Sequence, residues 1–228
     1  MKQIALDIGL ATGPTLSNFF AGPNDAPLKH LELWVGVKGT PHSRSPVPTY
    51  LWGPSGSGKT HLLKALREAL REQGARAGWL DASVLDVPDY DETWAAVFMD
   101  DVHLYTAAQQ QAAFNWFVNA QTHLRPVVAV GEFAPTQLLL RDDLRTRLGW
   151  GHIFALHLLS EPERRAVLRK AADARGVFLS DEVMDFMLSR FSRDLGSLME
   201  LLDLLDGYAL QTKRAITVPL IKSMMENA

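Results

Sequence analysis

The sequence predicts an α/β fold: a phosphate-loop nucleotide-binding domain, built on a parallel sheet flanked by helices, followed by a small all-α domain. Three observations carry that prediction. Short β-prone runs alternate with helical patterns between Thr49 and Leu158. The segment Gly53-Pro54-Ser55-Gly56-Ser57-Gly58-Lys59-Thr60 fits G-x-x-x-x-G-K-[ST] without a mismatch. After Leu159 only helical patterns remain.

The elements follow in order. Residues 1–23 are mixed and broken by Gly13-Pro14 and Gly22-Pro23. A helix is expected from about Asn24 to Val37, with Leu28, Leu31, Leu33 and Trp34 as its apolar positions, and residues 38–48 read as a proline-rich loop. Strands are expected at 49–52, 77–81, 95–100, 126–130 and 153–158, with helices at 60–73, about 107–121 and about 137–148. That β-α-β-α order requires parallel strands and crossovers. Ser160-Glu161-Pro162-Glu163 has the form of a capping box with proline in the first turn, opening a helix to Arg175 that Gly176 ends. Ser180 caps a second helix through Arg190, a third runs from about Asp194 to Gln211, and Thr217-Val218-Pro219 opens a fourth. The domain boundaries are therefore drawn at 1–12 (N-terminal segment), 13–159 (α/β domain) and 160–228 (helical lid).

Composition narrows the function classes. With 47% hydrophobic residues in 228, the chain can bury a sizeable core. It has no cysteine, so disulfides and thiolate metal sites are excluded. The seven histidines are scattered without ligand spacing. A net charge of −3 argues against a dominant nucleic-acid-binding surface. No apolar run approaches the roughly 18 residues of a membrane span, and the first residues lack a signal-peptide core, so a cytoplasmic location is expected.

Four constellations carry chemistry. In the phosphate loop, glycines let successive backbone N–H groups face phosphate oxygens at a helix N-terminus. Lys59 would reach the β/γ-phosphates of ADP or ATP, and the Thr60 hydroxyl would ligate Mg²⁺. Val97-Phe98-Met99-Asp100-Asp101 is an apolar strand that delivers two acids to the carboxyl edge of the sheet. Asp100 is expected to hold Mg²⁺ and Asp101 to polarise the attacking water. Glu132, at the end of the strand 126–130, is either a γ-phosphate sensor or a solvated acid. Finally, Arg145 and Arg147 lie two apart near a helix end and point about 200° from each other. One is read as a structural C-terminal cap. The other is either a surface ion pair or an arginine finger aimed at a neighbour's nucleotide, a group that contributes roughly 10³–10⁵ in hydrolysis rate.

These pieces, in this order and followed by a helical lid, resemble the AAA+ ATPases, and within them the DnaA-related family and its Hda branch. The resemblance covers essentially the whole chain. It rests on Ser17-Asn18-Phe19-Phe20-Ala21-Gly22, the phosphate loop, Met99-Asp100-Asp101-Val102 and above all Arg147-Leu148-Gly149-Trp150-Gly151. It implies that Phe20 adjoins the nucleotide and that Arg147 is the finger. It further implies that the partners are the DnaA initiator and the β sliding clamp of DNA polymerase III. On this reading DNA is reached only indirectly through the clamp or weakly, no membrane is involved, and homo-oligomerisation is left open. An initiator would carry a further DNA-reading domain beyond the lid, and none is expected here, where the chain stops at Ala228.

In the Hda branch a short N-terminal motif docks into the clamp, and Gln3, Leu6 and Ile8 match its spacing. One departure matters. The arginine the family carries in its third lid helix aligns with Gly196, and Arg193, three residues earlier, either substitutes for it or decorates the helix start. The combined expectation is a nucleotide-holding protein with weak turnover of its own that promotes hydrolysis of DnaA-bound ATP. An autonomous AAA+ ATPase, such as a helicase or transposition loader, is the alternative.

Overall fold

The computed structural model describes residues 13–36, 44–190, 195–212 and 215–226. The described residues form two compact units, one within 13–53 and 59–156, the other within 54–58 and 157–226.

The first unit is built on a five-stranded parallel sheet in the order β2-β3-β4-β1-β5: β1 Thr49–Trp52, β2 Ala77–Leu80, β3 Ala96–Met99, β4 Val127–Gly131 and β5 His152–Ala155. Four helices cover it: α1 Asp25–Val35, α2 Lys59–Glu72, α3 Ala107–Thr122 and α4 Asp142–Leu148. Strand alternation sorts the core into two layers. Val97, Met99, Val127 and Ala129 pack with Ala113, Trp116 and Phe117 of α3 and with Leu144 and Leu148 of α4. Ala96, Phe98, Val128 and Val130 point the other way, onto Leu31 and Trp34 of α1 and Leu62, Leu63, Leu66 and Leu70 of α2. Both β3 and β4 are buried along their whole length, which is why they read as continuous apolar runs.

The expected helix over 137–148 is corrected. Pro135–Gln137 forms a 3-10 turn, the chain then extends, and α4 begins only at Asp142. The Leu138-Leu139-Leu140 run alternates as a strand does. Leu138 and Leu140 are buried while Leu139 is 98% exposed. Arg141 ends the extended stretch: its N–H donates to Gln110 Oε1 at 2.9 Å and its guanidinium to the Asp143 carboxylate.

The second unit is all helical: α5 Glu161–Ala174, α6 Asp181–Arg190, α7 Leu195–Thr212 and α8 Val218–Glu226. Leu168, Met184, Met187, Leu198, Leu202, Leu205 and Ile221 form its buried core. At its first cap, the N–H and hydroxyl of Ser160 both donate to the Glu163 carboxylate at 2.7 Å. Ser180 Oγ accepts from the Val183 N–H at 3.3 Å, and Gly176 turns the end of α5 at φ +69°.

Candidate functional site

The carboxyl ends of β1, β4 and β3 lie side by side in the sheet, so the residues that follow them share one edge. After β1 the ladder is extended by one bond, Gly53 N–H to the Gly131 carbonyl at 3.2 Å. The loop then turns through Gly56 and Gly58 at φ +80° and +91°, conformations that a residue with a Cβ rarely adopts. It enters α2 at Lys59. The Ser57 hydroxyl is buried without a hydrogen-bond partner among the described residues, an orphan that an anionic oxygen would satisfy.

Lys59 is only 6% exposed, and its ammonium donates to the Gly53 carbonyl at 2.8 Å. Burial pulls its pKa down, opposed by the charges of Asp101, Glu132 and Asp100. Thr60 Oγ1 donates to Asp100 Oδ1 at 3.0 Å. Burial, reinforced by the charge of Asp101, raises the Asp100 carboxyl to about 6. A hydroxyl and a carboxylate in contact suit Mg²⁺, which keeps several waters and borrows its other ligands from phosphates. The loop and this pair fit a nucleotide polyphosphate with its metal.

Asp101 adopts a left-handed conformation, φ 47° and ψ 47°, a sparsely populated state for a non-glycine residue. The turn carries the chain into the 3-10 segment Val102–Leu104. His103, in that segment, is a residue the sequence reading passed over. Its side chain is 12% exposed, its Nε2 lies 3.4 Å from Glu132 Oε2 and its Nδ1 4.0 Å from Asp101 Oδ1. The Glu132 backbone N–H donates to His103 Nδ1 at 3.3 Å. The signal was the strand register. Met99 pairs with Ala129, which sets the residues after β3 level with those after β4. Below this cluster Tyr50 donates its hydroxyl to the Phe133 carbonyl at 2.8 Å, and a Cβ on Gly131 would stand 2.4 Å from that hydroxyl.

Phe20 is 36% exposed. The segment before it is tied to α2, because His61 Nε2 meets the Thr15 carbonyl at 3.1 Å and Phe19 stacks at a tilt on the His61 ring. Of the two arginines, Arg145 pairs with Asp142 at 2.8 Å. Arg147 makes no ion pair among the described residues. Its guanidinium lies over the Phe114 ring at 4.8 Å and beside Trp150 at 5.8 Å. Gly196 stands exposed in the first turn of α7. Gln3, Leu6, Ile8 and Arg193 lie outside the described residues. Among the described residues, no helix is long and apolar enough to cross a membrane.

Comparison with known proteins adds four findings. Residues 161–225 match the family model described as "Hda, lid domain". An uncharacterized protein of Haemophilus influenzae is 31% identical over 236 residues, covering 98% of each chain. Domain III of the Thermotoga maritima replication initiation protein DnaA superposes with a TM-score of 0.74 at 20% identity, covering 93% of this chain and 95% of that one. An AMPPCP-bound DnaA from Aquifex aeolicus superposes with a TM-score of 0.66 at 19% identity, over 84% of this chain and 64% of its own. At such identities the two superpositions speak for the fold.

Proposed function

The chain belongs to the Hda and DnaA-related family of AAA+ proteins, and from that premise we propose that it is a regulatory inactivator of the replication initiator DnaA. It holds an adenine nucleotide, ADP or ATP, with Mg²⁺ between Thr60 and Asp100. It acts by lending Arg147 to the nucleotide site of DnaA, where the guanidinium promotes hydrolysis of DnaA-bound ATP. Gln3, Leu6 and Ile8 tether it to the β sliding clamp loaded on DNA, which confines the reaction to the replisome-associated cytoplasm. Initiation of replication is thereby negatively regulated.

The observation that carries this reading is the contrast between the two arginines. Arg145 is engaged with Asp142, whereas Arg147 rests on the faces of Phe114 and Trp150. A guanidinium steadied by rings keeps its charge and its donors for an anion from outside the chain. Such a group stabilises charge that develops in phosphoryl transfer. The fit of the phosphate loop to a nucleotide supports the other half of the proposal, a bound nucleotide that organises the protein without needing to be turned over.

A second reading, autonomous ATP hydrolysis, is favoured by one feature: Lys59, Thr60, Asp100, Asp101 and Glu132 all come from this chain. The glycine at 196, where the family carries an arginine, counts against it. The two separate in one assay, ATP hydrolysis by the protein alone and then with DnaA and DNA-loaded clamp. We expect little turnover alone and strong DnaA-dependent turnover that Arg147→Ala abolishes and Arg145→Ala leaves intact. Vigorous hydrolysis by the protein alone, indifferent to Arg147→Ala, would refute the proposal in favour of the second reading. Gln3→Ala with Leu6→Ala should abolish clamp binding, and unchanged binding would remove the tether.

A further inference from the structure

We infer that His103 is a positioning residue that holds Glu132 and leaves Asp101 free, so that the site tells a nucleoside triphosphate from a diphosphate; the inference rests on the nucleotide reading above. The hydrogen bonds assign the roles. The Glu132 backbone N–H donates to His103 Nδ1 at 3.3 Å, so Nδ1 is an acceptor and the ring proton sits on Nε2. Nε2 itself lies 3.4 Å from Glu132 Oε2, within reach of that carboxylate. Glu132 thus meets one ring twice, through a hydrogen bond from its backbone and through a close approach of its carboxylate. Asp101 Oδ1, at 4.0 Å from Nδ1, meets a lone pair already engaged with another donor. The ring is fixed in turn, its edge set against Phe133 with centroids 5.8 Å apart and its side chain 12% exposed.

The consequence is electrostatic. Gly131, the residue before Glu132, accepts from the Gly53 N–H at 3.2 Å, and the Gly53 carbonyl accepts from the Lys59 ammonium at 2.8 Å, so Glu132 starts beside the lysine that would reach the terminal phosphates. A carboxylate and a γ-phosphate repel, and like charges a few ångströms apart in a half-buried site cost several-fold in affinity. A fixed N–H that draws the carboxylate charge toward the ring relieves this. Without His103, Glu132 turns its full charge on the third phosphate, while a diphosphate that stops short of it is barely affected.

The test uses the full chain with Mg²⁺ and measures Kd for ADP and for a non-hydrolysable ATP analogue. His103→Ala should weaken the triphosphate about tenfold and ADP less than twofold, a differential within the usual range of coupled neighbours. His103→Gln, whose amide can both accept from the backbone and donate to the carboxylate, should restore most of the loss. In a Glu132→Ala background, His103→Ala should change the ratio of the two affinities less than twofold. Long-range ¹⁵N spectra of the nucleotide-free protein at alkaline pH, with His103 assigned by its loss in His103→Gln, should show the Nε2–H tautomer. An Nδ1–H tautomer, equal weakening of both nucleotides, or an undiminished His103→Ala effect without Glu132 would overturn the assignment. A wild-type chain that binds neither nucleotide would overturn the nucleotide reading itself, and a wild type that binds both while ignoring His103 would overturn only this inference.

Discussion

Asp100→Asn should make the protein more stable, and by an amount that depends on pH. In the folded chain the Asp100 carboxyl is 6% exposed and its pKa rises from 3.8 to about 6, first through burial and then through the charge of Asp101. An acid whose pKa is raised by folding binds its proton more tightly in the native state. Ionising it therefore costs stability, in full above the folded pKa and not at all below the unfolded one. At about 1.36 kcal/mol per unit, the shift amounts to about 3 kcal/mol at pH 7.5 and roughly half of that at pH 5. Asparagine removes the charge and keeps an oxygen to accept from Thr60, so the existing 3.0 Å hydrogen bond can persist. The assay is urea unfolding without nucleotide and with a chelator, followed by tryptophan fluorescence. All six tryptophans fall between Trp34 and Trp150, so the signal reports on the unit that contains Asp100. A gain at pH 7.5 about twice the gain at pH 5 is expected. No gain, or one that does not change with pH, would refute the reasoning.

Three further outcomes follow from the same geometry. If Asp100 holds Mg²⁺ as proposed, it must be ionised to do so, and with its carboxyl raised to about 6 the Mg²⁺-dependent nucleotide affinity measured by calorimetry should fall about tenfold from pH 7 to pH 5; a flat profile would exclude Asp100 as a ligand. Gly151→Ala would set a Cβ 1.9 Å from the Pro48 carbonyl oxygen, a backbone atom that cannot step aside, and should cost about 2 kcal/mol or more in the urea assay. Gly207→Ala, inside α7 with nothing within 4 Å of the added methyl, should instead stabilise the helical unit by about 0.5–1 kcal/mol, seen as a later loss of helical circular dichroism.

Much of this was legible in the residues themselves. The five strands fall within a few residues of their expected ends, and β3 and β4, buried on both faces, write themselves as short apolar runs between breakers. The same periodicity misled at Leu138-Leu139-Leu140, where three consecutive leucines satisfy a helix and a strand equally. Tertiary contacts decided for the extended form, burying the outer two and leaving Leu139 in solvent. His103 went unread for a different reason. A histidine two residues beyond an acid has no motif, and its partner Glu132 is 29 residues away in sequence. Only the pairing of β3 with β4 brings them together. Likewise, spacing placed Arg145 and Arg147 on different faces of α4, but only the neighbours decided which was engaged: Asp142 one turn back for the first, rings from α3 and from the turn after α4 for the second.

The packing also links the strand ends that precede Asp100, Asp101 and Glu132 to the helix that carries Arg147. Leu144 and Leu148 of α4 sit in the same buried layer as Tyr50, Met99 and Ala129, the residues that set β1, β3 and β4 against each other. Tyr50 reaches from that layer to the Phe133 carbonyl, one residue beyond Glu132. A close-packed layer yields little, so the carboxyl ends of the strands and the last turn of α4 cannot shift independently by much. Under the proposed function, such a layer can present Arg147 in a fixed pose, which is what an activating partner requires.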